Sequence, residues 1–196
     1  MTELPRLWLV RHGETEWSRS GQYTGLTDLP LTAHGEEQAR IAGRKLAAIQ
    51  KAGTSFDLVM TSPSQRAAHT ADLAGFPHAE TVQDAHEWDY GEYEGIRSAE
   101  VRERNPSYLI WDDGVPGGET IEQVGVRAER IVQRVRTELA DGGNAVLFSH
   151  GHFSRILAAT WLRLGVGQGR HFLLGTAEVC RLGWDKKTPA VEAWGL

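Results

Sequence analysis

A single cysteine, Cys180, is all that the sequence carries, so no disulfide can form within the chain and stability must come from a packed core. A reducing compartment is the simplest setting for that composition, and the expected location is the cytoplasm. Long hydrophobic runs are missing too. The apolar run Leu7-Trp8-Leu9-Val10 is too short for a signal peptide or a membrane span, and it leads straight into Arg11-His12-Gly13. An excess of basic residues is also lacking: 21 Lys and Arg stand against 26 Asp and Glu, a net charge of -5. That balance argues against nucleic-acid or acidic-membrane partners, whose binding draws mostly on a basic surface. It leaves room for a local basic pocket around a small anion. Internal repeats and low-complexity tracts are absent.

What is present is ordinary globular material. Hydrophobic residues make up 40% of 196 and charged residues 24%, enough for a sizeable core in one domain spanning 1–196. Short apolar runs alternate with amphipathic segments, which predicts an α/β fold: a three-layer helix–sheet–helix sandwich around a mostly parallel sheet. Leu7–Val10, Asp57–Thr61 and Ala145–Phe148 read as buried strands. Thr32 is placed to cap a helix carrying Ala39, Ala42, Leu46 and Ile49 on one face. Ser62-Pro63-Ser64-Gln65 reads as a capping box with proline at the first helical position.

A second capping box, Thr120 with Gln123, opens a helix whose apolar face holds Ile121, Val124, Ala128, Ile131, Val135 and Leu139. The Glu and Arg residues between them read as a solvated face. Asp141-Gly142-Gly143-Asn144 ends that helix, and another is expected from about His152 to Leu164. Val179–Trp184 and Ala190–Trp194 look like strands joined around Asp185–Pro189 at a sheet edge. Residues 87–119, rich in Trp, Tyr, Gly and charge, form the least regular stretch and suit a lid or pocket wall.

Chemistry gathers at three strand ends. The first strand ends in Arg11-His12-Gly13-Glu14, the second leads to Ser62 and Arg66, and the third ends in Ser149-His150-Gly151-His152. In an open parallel sheet the ligand crevice lies at the carboxyl ends of the strands. Parallel neighbours there would bring His12, His150, Arg11 and Arg66 to one spot, with a helix amino terminus near Ser62. Paired arginines and free backbone N–H groups suit a phosphate-sized anion. Each residue also has an ordinary reading: a loop histidine, a solvated Arg66, or His150 and His152 as part of a metal site.

The ordered set of motifs resembles the histidine phosphatase (phosphoglycerate mutase-like) superfamily. The matching residues run through Arg11-His12-Gly13-Glu14-Thr15-Glu16-Trp17, Thr24-Gly25, Asp28, Leu31-Thr32 and Gly35-Glu36-Glu37-Gln38-Ala39. They continue with Ser62-Pro63, Arg66-Ala67, Thr70-Ala71, Glu87, Gly91, Glu94-Gly95, Gly117-Gly118-Glu119 and Ser149-His150-Gly151. The resemblance implies a phosphohistidine on His12, with Arg11, Arg66 and His150 holding the phosphoryl oxygens and Glu87 as proton donor. It further implies substrate contacts from Thr24 and Gly25, and from Ser18, where the family often has Asn. His69 and His152 stand at variable positions, where a structural role is expected.

The short segment from Glu87 to Gly118 and the run Glu87-Trp88-Asp89-Tyr90-Gly91-Glu92-Tyr93-Glu94-Gly95 look more like the acid phosphatase and sugar-phosphate phosphatase branch than the mutases. The resemblance therefore implies a phosphomonoester hydrolase, with no cofactor and no metal, acting on a small phosphorylated substrate. The alternatives are a phosphoglycerate mutase, a non-catalytic module binding phosphorylated ligands, and a His-ligated metal hydrolase, which Arg11 and Arg66 disfavour by repelling a dication. Trp17, Tyr23, Trp88, Tyr90, Tyr93 and Trp111 are candidates for the pocket wall or the core. A homodimer through an edge strand or the C-terminal region is a further expectation.

Overall fold

Alternation decides which way the central strands face. In the computed structural model, which describes residues 3–196, β1 (Arg6–Arg11) turns Leu7 and Leu9 to one side and Trp8 and Val10 to the other. β4 (Asn144–Ser149) does the same with Ala145 and Leu147 against Val146 and Phe148. Both strands are thus apolar on both faces, as a sheet covered by helices on each side requires. With β2 (Leu58–Thr61), β3 (Glu80–Thr81), β5 (Val179–Asp185) and β6 (Thr188–Ala193) they form one six-stranded sheet of order β3-β2-β4-β1-β5-β6. The first four strands of that order run parallel, and β5 and β6 are added antiparallel at one edge. Pro189 lies in the edge strand β6, where its missing N–H costs no ladder bond.

Helices α2 (Ala33–Lys51) and α3 (Gln65–Leu73) cover the face holding Trp8, Val10, Val146 and Phe148. The cap expected at Thr32 is present, its hydroxyl accepting the N–H of Gly35 at 3.0 Å. Ala39, Ala42 and Leu46 are fully buried and Ile49 packs beside them. The other face is covered by α6 (Ile121–Glu138) and α7 (Gly151–Trp161), with Val124, Ala128, Ile131, Phe153 and Ile156 in the same cluster as Leu7 and Leu9. Both halves of the Thr120–Gln123 capping box form.

Two local expectations are corrected. The box at Ser62 does not form: the helix cap is Ser64, and α3 begins at Gln65. The Ser62 hydroxyl is drawn instead to His150, 88 residues away. Nor is the polar face of α6 wholly solvated, because Arg127 is buried. Residues 87–119 carry more order than anticipated: a 3-10 turn at Gly91–Tyr93 and the short helices α4 (Ser98–Arg104) and α5 (Ile110–Asp113). Among the described residues no helix is long and apolar enough to cross a membrane.

Leu46 has no exposed surface and sits where α2 meets the sheet. Leu46→Ala is expected to lower unfolding free energy by about 2–5 kcal/mol through the cavity it leaves. A urea titration followed by tryptophan fluorescence reads this as a lower midpoint with an unchanged slope.

Candidate active site

Strand register builds the site. Arg11 pairs with Ser149 across the parallel β1–β4 ladder, so the next residues, His12 and His150, leave the sheet side by side. The His12 N–H still donates to Ser149 O at 2.9 Å, and the two imidazole rings lie 5.3 Å apart. β2 contributes from the other side, where the Ser62 N–H donates to Phe148 O and its hydroxyl sits 2.7 Å from His150 Nε2. The loop after His12 passes very close to α2: a Cβ on Gly13 would lie 2.2 Å from Gly35 O, so the crossing needs glycine.

His12 is 4% exposed, and its Nδ1 lies 2.7 Å from Gly13 O. A carbonyl only accepts, so Nδ1 carries the ring proton and Nε2 keeps its lone pair. Burial, then the charges of Arg11 and Arg66, hold this imidazole well below its ordinary pKa, and it is neutral. His150 is likewise held neutral, by burial first and then by Arg66, and its Nδ1 has no partner.

Arg66 has no exposed surface. Its Nη1 donates to Thr27 O at 2.9 Å, and Nη2 to Gly25 O at 2.8 Å and Thr24 O at 3.2 Å. The cradle is itself pinned: the Glu94 carboxylate accepts the N–H groups of Gly25 and Thr27, and Asp28 accepts the N–H of Gln65. The opening N–H of α3 is therefore taken by Asp28. Thr24 lines the cleft and Gly25 turns its carbonyl to Arg66, its N–H being held by Glu94. Arg11 donates to Leu174 O at 2.6 Å and lines the cleft. The Nε atoms of Arg11 and Arg66 are both buried without a partner, as is His150 Nδ1. Buried polar atoms normally find partners, and three orphans gathered near His12 are what a ligand with several acceptor oxygens would satisfy.

Glu87 is 5% exposed and lines the same cleft. Its carboxylate accepts the N–H groups of Trp88 at 2.9 Å, His152 at 3.0 Å and Phe153 at 2.8 Å, the last two in the first turn of α7. Arg127 fixes the approach, donating to the carbonyls of Asp84, His86 and Glu87 while forming a two-pronged pair with Glu119 at 2.8 Å on each arm. Ser18 lines the cleft, but its hydroxyl donates to Thr15 O and accepts the Thr15 N–H within the capping box of α1 (Glu16–Ser20).

Arg11, His12, Ser18, Thr24 and Glu87 line a cleft of about 330 Å³, whereas Arg66 and His150, with no exposed surface, lie behind its wall. Of the aromatic candidates, Tyr23, Tyr90 and Trp111 line it, whereas Trp88 is wholly buried beneath. His152 lines it as well; His69 does not. The sequence reading left out Arg102 and Arg155, two further cations on the wall. Arg155 stacks on Trp111 at 4.6 Å. Nothing in their local pattern distinguishes them from solvated helix residues. Among the described residues, no three His, Cys, Asp or Glu side chains gather as a metal site.

Residues 7–196 match the histidine phosphatase superfamily (branch 1), and the chain belongs to that family. It is 37% identical over 191 residues to an acid phosphatase of Mycobacterium tuberculosis (strain ATCC 25618 / H37Rv), covering 97% of this chain and 92% of that one. It is 38% identical to a sedoheptulose 1,7-bisphosphatase of Saccharomyces cerevisiae (strain ATCC 204508 / S288c), over 83% of this chain and 69% of that one. A 2,3-bisphosphoglycerate-dependent phosphoglycerate mutase of Nitrobacter winogradskyi is 33% identical, over 91% and 92% of the two chains. A solved structure of a Mycobacterium tuberculosis open reading frame superposes with a TM-score of 0.92 at 37% identity, covering 97% of each chain. The protein is an enzyme of the phosphatase class.

Three neutral imidazoles, two buried and His152 half-buried, set a pH dependence of stability. His12 and His150 are held well below 6.5, and burial pushes His152 down to about 3. Below pH 6.5 the unfolded chain takes up protons that the folded chain refuses, so stability falls as pH drops from 6.5 toward the folded-state values. The slope should approach about 4 kcal/mol per pH unit where all three uptakes overlap. Urea midpoints at pH 8.5, 7.5 and 5.5 should be nearly level between the first two and clearly lower at the third. A level series throughout would mean that the histidines titrate in the fold as they do in the unfolded chain.

Proposed function

We propose that this enzyme hydrolyses small phosphorylated metabolites or sugar phosphates through a phosphohistidine on His12. In the first half-reaction His12 Nε2 attacks phosphorus and the P–O bond to the alcohol breaks, while Glu87 gives its proton to the leaving oxygen. In the second, Glu87 takes a proton from water as that water attacks phosphorus. Inorganic phosphate leaves, and His12 regains its lone pair. Arg11 and Arg66 neutralise the charge on the equatorial oxygens, with His150 beside them. The observation that carries this reading is a neutral His12 whose lone-pair nitrogen stands beside the buried, incompletely partnered guanidiniums of Arg11 and Arg66.

The names of the acid phosphatase and sedoheptulose bisphosphatase relatives support hydrolysis of phosphorylated metabolites. A cleft of about 330 Å³ suits a small substrate. Hydrolysis is favoured over phosphoryl exchange between hydroxyls because the segment Glu87 to Gly118 is short, and a phosphatase needs water to enter where a mutase must exclude it. The whole chain acts as one catalytic unit on this reading, with 87–119 as a wall of the cleft. Its setting is the cytoplasm, as the single-cysteine composition supports.

Phosphate release from 4-nitrophenyl phosphate and a panel of sugar phosphates is the direct test. His12→Ala should lower kcat by roughly a thousand-fold or more. An alkaline quench of wild type during turnover should trap phosphate on His12. With 3-phosphoglycerate the products should be glycerate and phosphate; accumulation of 2-phosphoglycerate without phosphate release would instead make the enzyme a mutase.

A further inference from the structure

His152 has no part in the mechanism above, yet it is built like a recognition group. Its ring is enclosed by aromatic neighbours, with Trp111 at 5.2 Å, Trp88 at 6.1 Å and Tyr90 at 5.8 Å. Its Nδ1 lies 2.6 Å from the hydroxyl of Tyr90, a residue itself only 3% exposed. Burial pushes the Tyr90 phenol well above 10 and His152 down to about 3, so both are neutral. Tyr90 Oη and His152 Nδ1 share this one hydrogen bond, and the tautomer in which the hydroxyl donates puts the ring proton on Nε2, free to donate into the cleft. Nε2 has no protein partner among the described residues, and His152 lines the cleft together with Arg11 and Glu87. Its backbone N–H holds Glu87 Oε2 at 3.0 Å, so the residue adjoins the group assigned to protonate the departing alcohol, and both line the cleft.

We infer that His152, fixed as the Nε2–H tautomer by Tyr90, is the specificity residue that reads a hydroxyl on the alcohol portion of the substrate. This rests on the hydrolase reading above and deepens it. An uncharged donor does not compete with the arginines for the phosphoryl oxygens. It suits a neutral oxygen, and the adjacent Trp111 and Tyr23 offer rings for the C–H face of a polyol. The substrate class is thus a polyhydroxy phosphomonoester. A simple alkyl ester would leave Nε2–H desolvated and unpaired, and the site discriminates against it for that reason.

The matched pair glycerol 3-phosphate and propyl phosphate differs in the hydroxyls alone. The ratio of their kcat/KM values should be measured in wild type, His152→Ala, His152→Gln and Tyr90→Phe. Their intrinsic reactivity difference is common to every variant and cancels between them. The ratio should fall at least about five-fold in His152→Ala, and should recover in His152→Gln, whose amide N–H reaches the place of Nε2. It should fall in Tyr90→Phe, which keeps the ring packing but frees the tautomer. A ratio in His152→Ala within two-fold of wild type, or equal ratios in the Ala and Gln variants, overturns the assignment whatever the common loss of rate. Absence of phosphate release by wild type from every ester would overturn the hydrolase reading itself, a separate outcome.

Discussion

Arg66 is a guanidinium with no exposed surface and no carboxylate partner in the fold, and most of the local structure follows from holding it there. Burying an unpaired charge costs several kcal/mol even after relaxation. Three carbonyls from Thr24, Gly25 and Thr27 offset much of that, since each hydrogen bond to a charged donor contributes about 1.5–3 kcal/mol. Those carbonyls can converge only if residues 24–28 run in one path. Glu94 and Asp28 fix that path through the N–H groups of Gly25, Thr27 and Gln65. Nε stays unpartnered. The fold therefore tolerates a buried charge with one N–H left over, which on the proposed function an incoming anion would complete.

The same charge governs the imidazoles. Beside Arg11 and Arg66, and out of water, protonating His12 would add a third positive charge to a small volume, so the ring stays neutral. Gly13 O takes the Nδ1 proton and leaves Nε2 as the reactive face. On the proposed mechanism, nucleophile and electrostatic clamp are one device: the guanidiniums that would seat the anion also keep His12 unprotonated. Glu87 stands apart from this pair, anchored by backbone N–H groups of α7 and by the path that Arg127 imposes on residues 84–87. The acid and the nucleophile of the proposed mechanism are thus positioned by different elements.

Much of this was legible in the sequence because it follows from local rules. Runs such as Leu7–Val10 and Ala145–Phe148 announce strands buried on both faces, and Thr32 and Thr120 announce helix starts that occur where expected. The convergence of His12, Ser62 and His150 followed from placing three such strands in parallel. What was not legible depends on backbone groups and distant partners. The cradle of Arg66 is made of carbonyls, which no residue type encodes. Ser62 fits a capping box locally, yet it lies within reach of His150 once β2 and β4 pair, and the tertiary bond wins over the local one. Arg127 looks solvated in a helical pattern until the carbonyls of Asp84, His86 and Glu87 are brought against it. The two-residue strand β3 is too short to show any period.

Charge distribution joins the fold to its chemistry. A chain of net charge -5 would repel a phosphate ester at long range, yet its cleft is lined by Arg11, Arg102 and Arg155 against one carboxylate, Glu87. Elsewhere arginines are largely matched: Arg130 with Asp84, Arg134 with Glu80 and Glu138, Arg170 with Asp112. Such exposed pairs contribute little to stability, but they cancel surface field and leave the cleft as a region of uncompensated positive charge. At physiological ionic strength only fields within about 8 Å survive screening, so the distant acidic surface has little influence on a ligand at the cleft mouth. The local balance of the cleft, rather than the charge of the chain, decides what enters it.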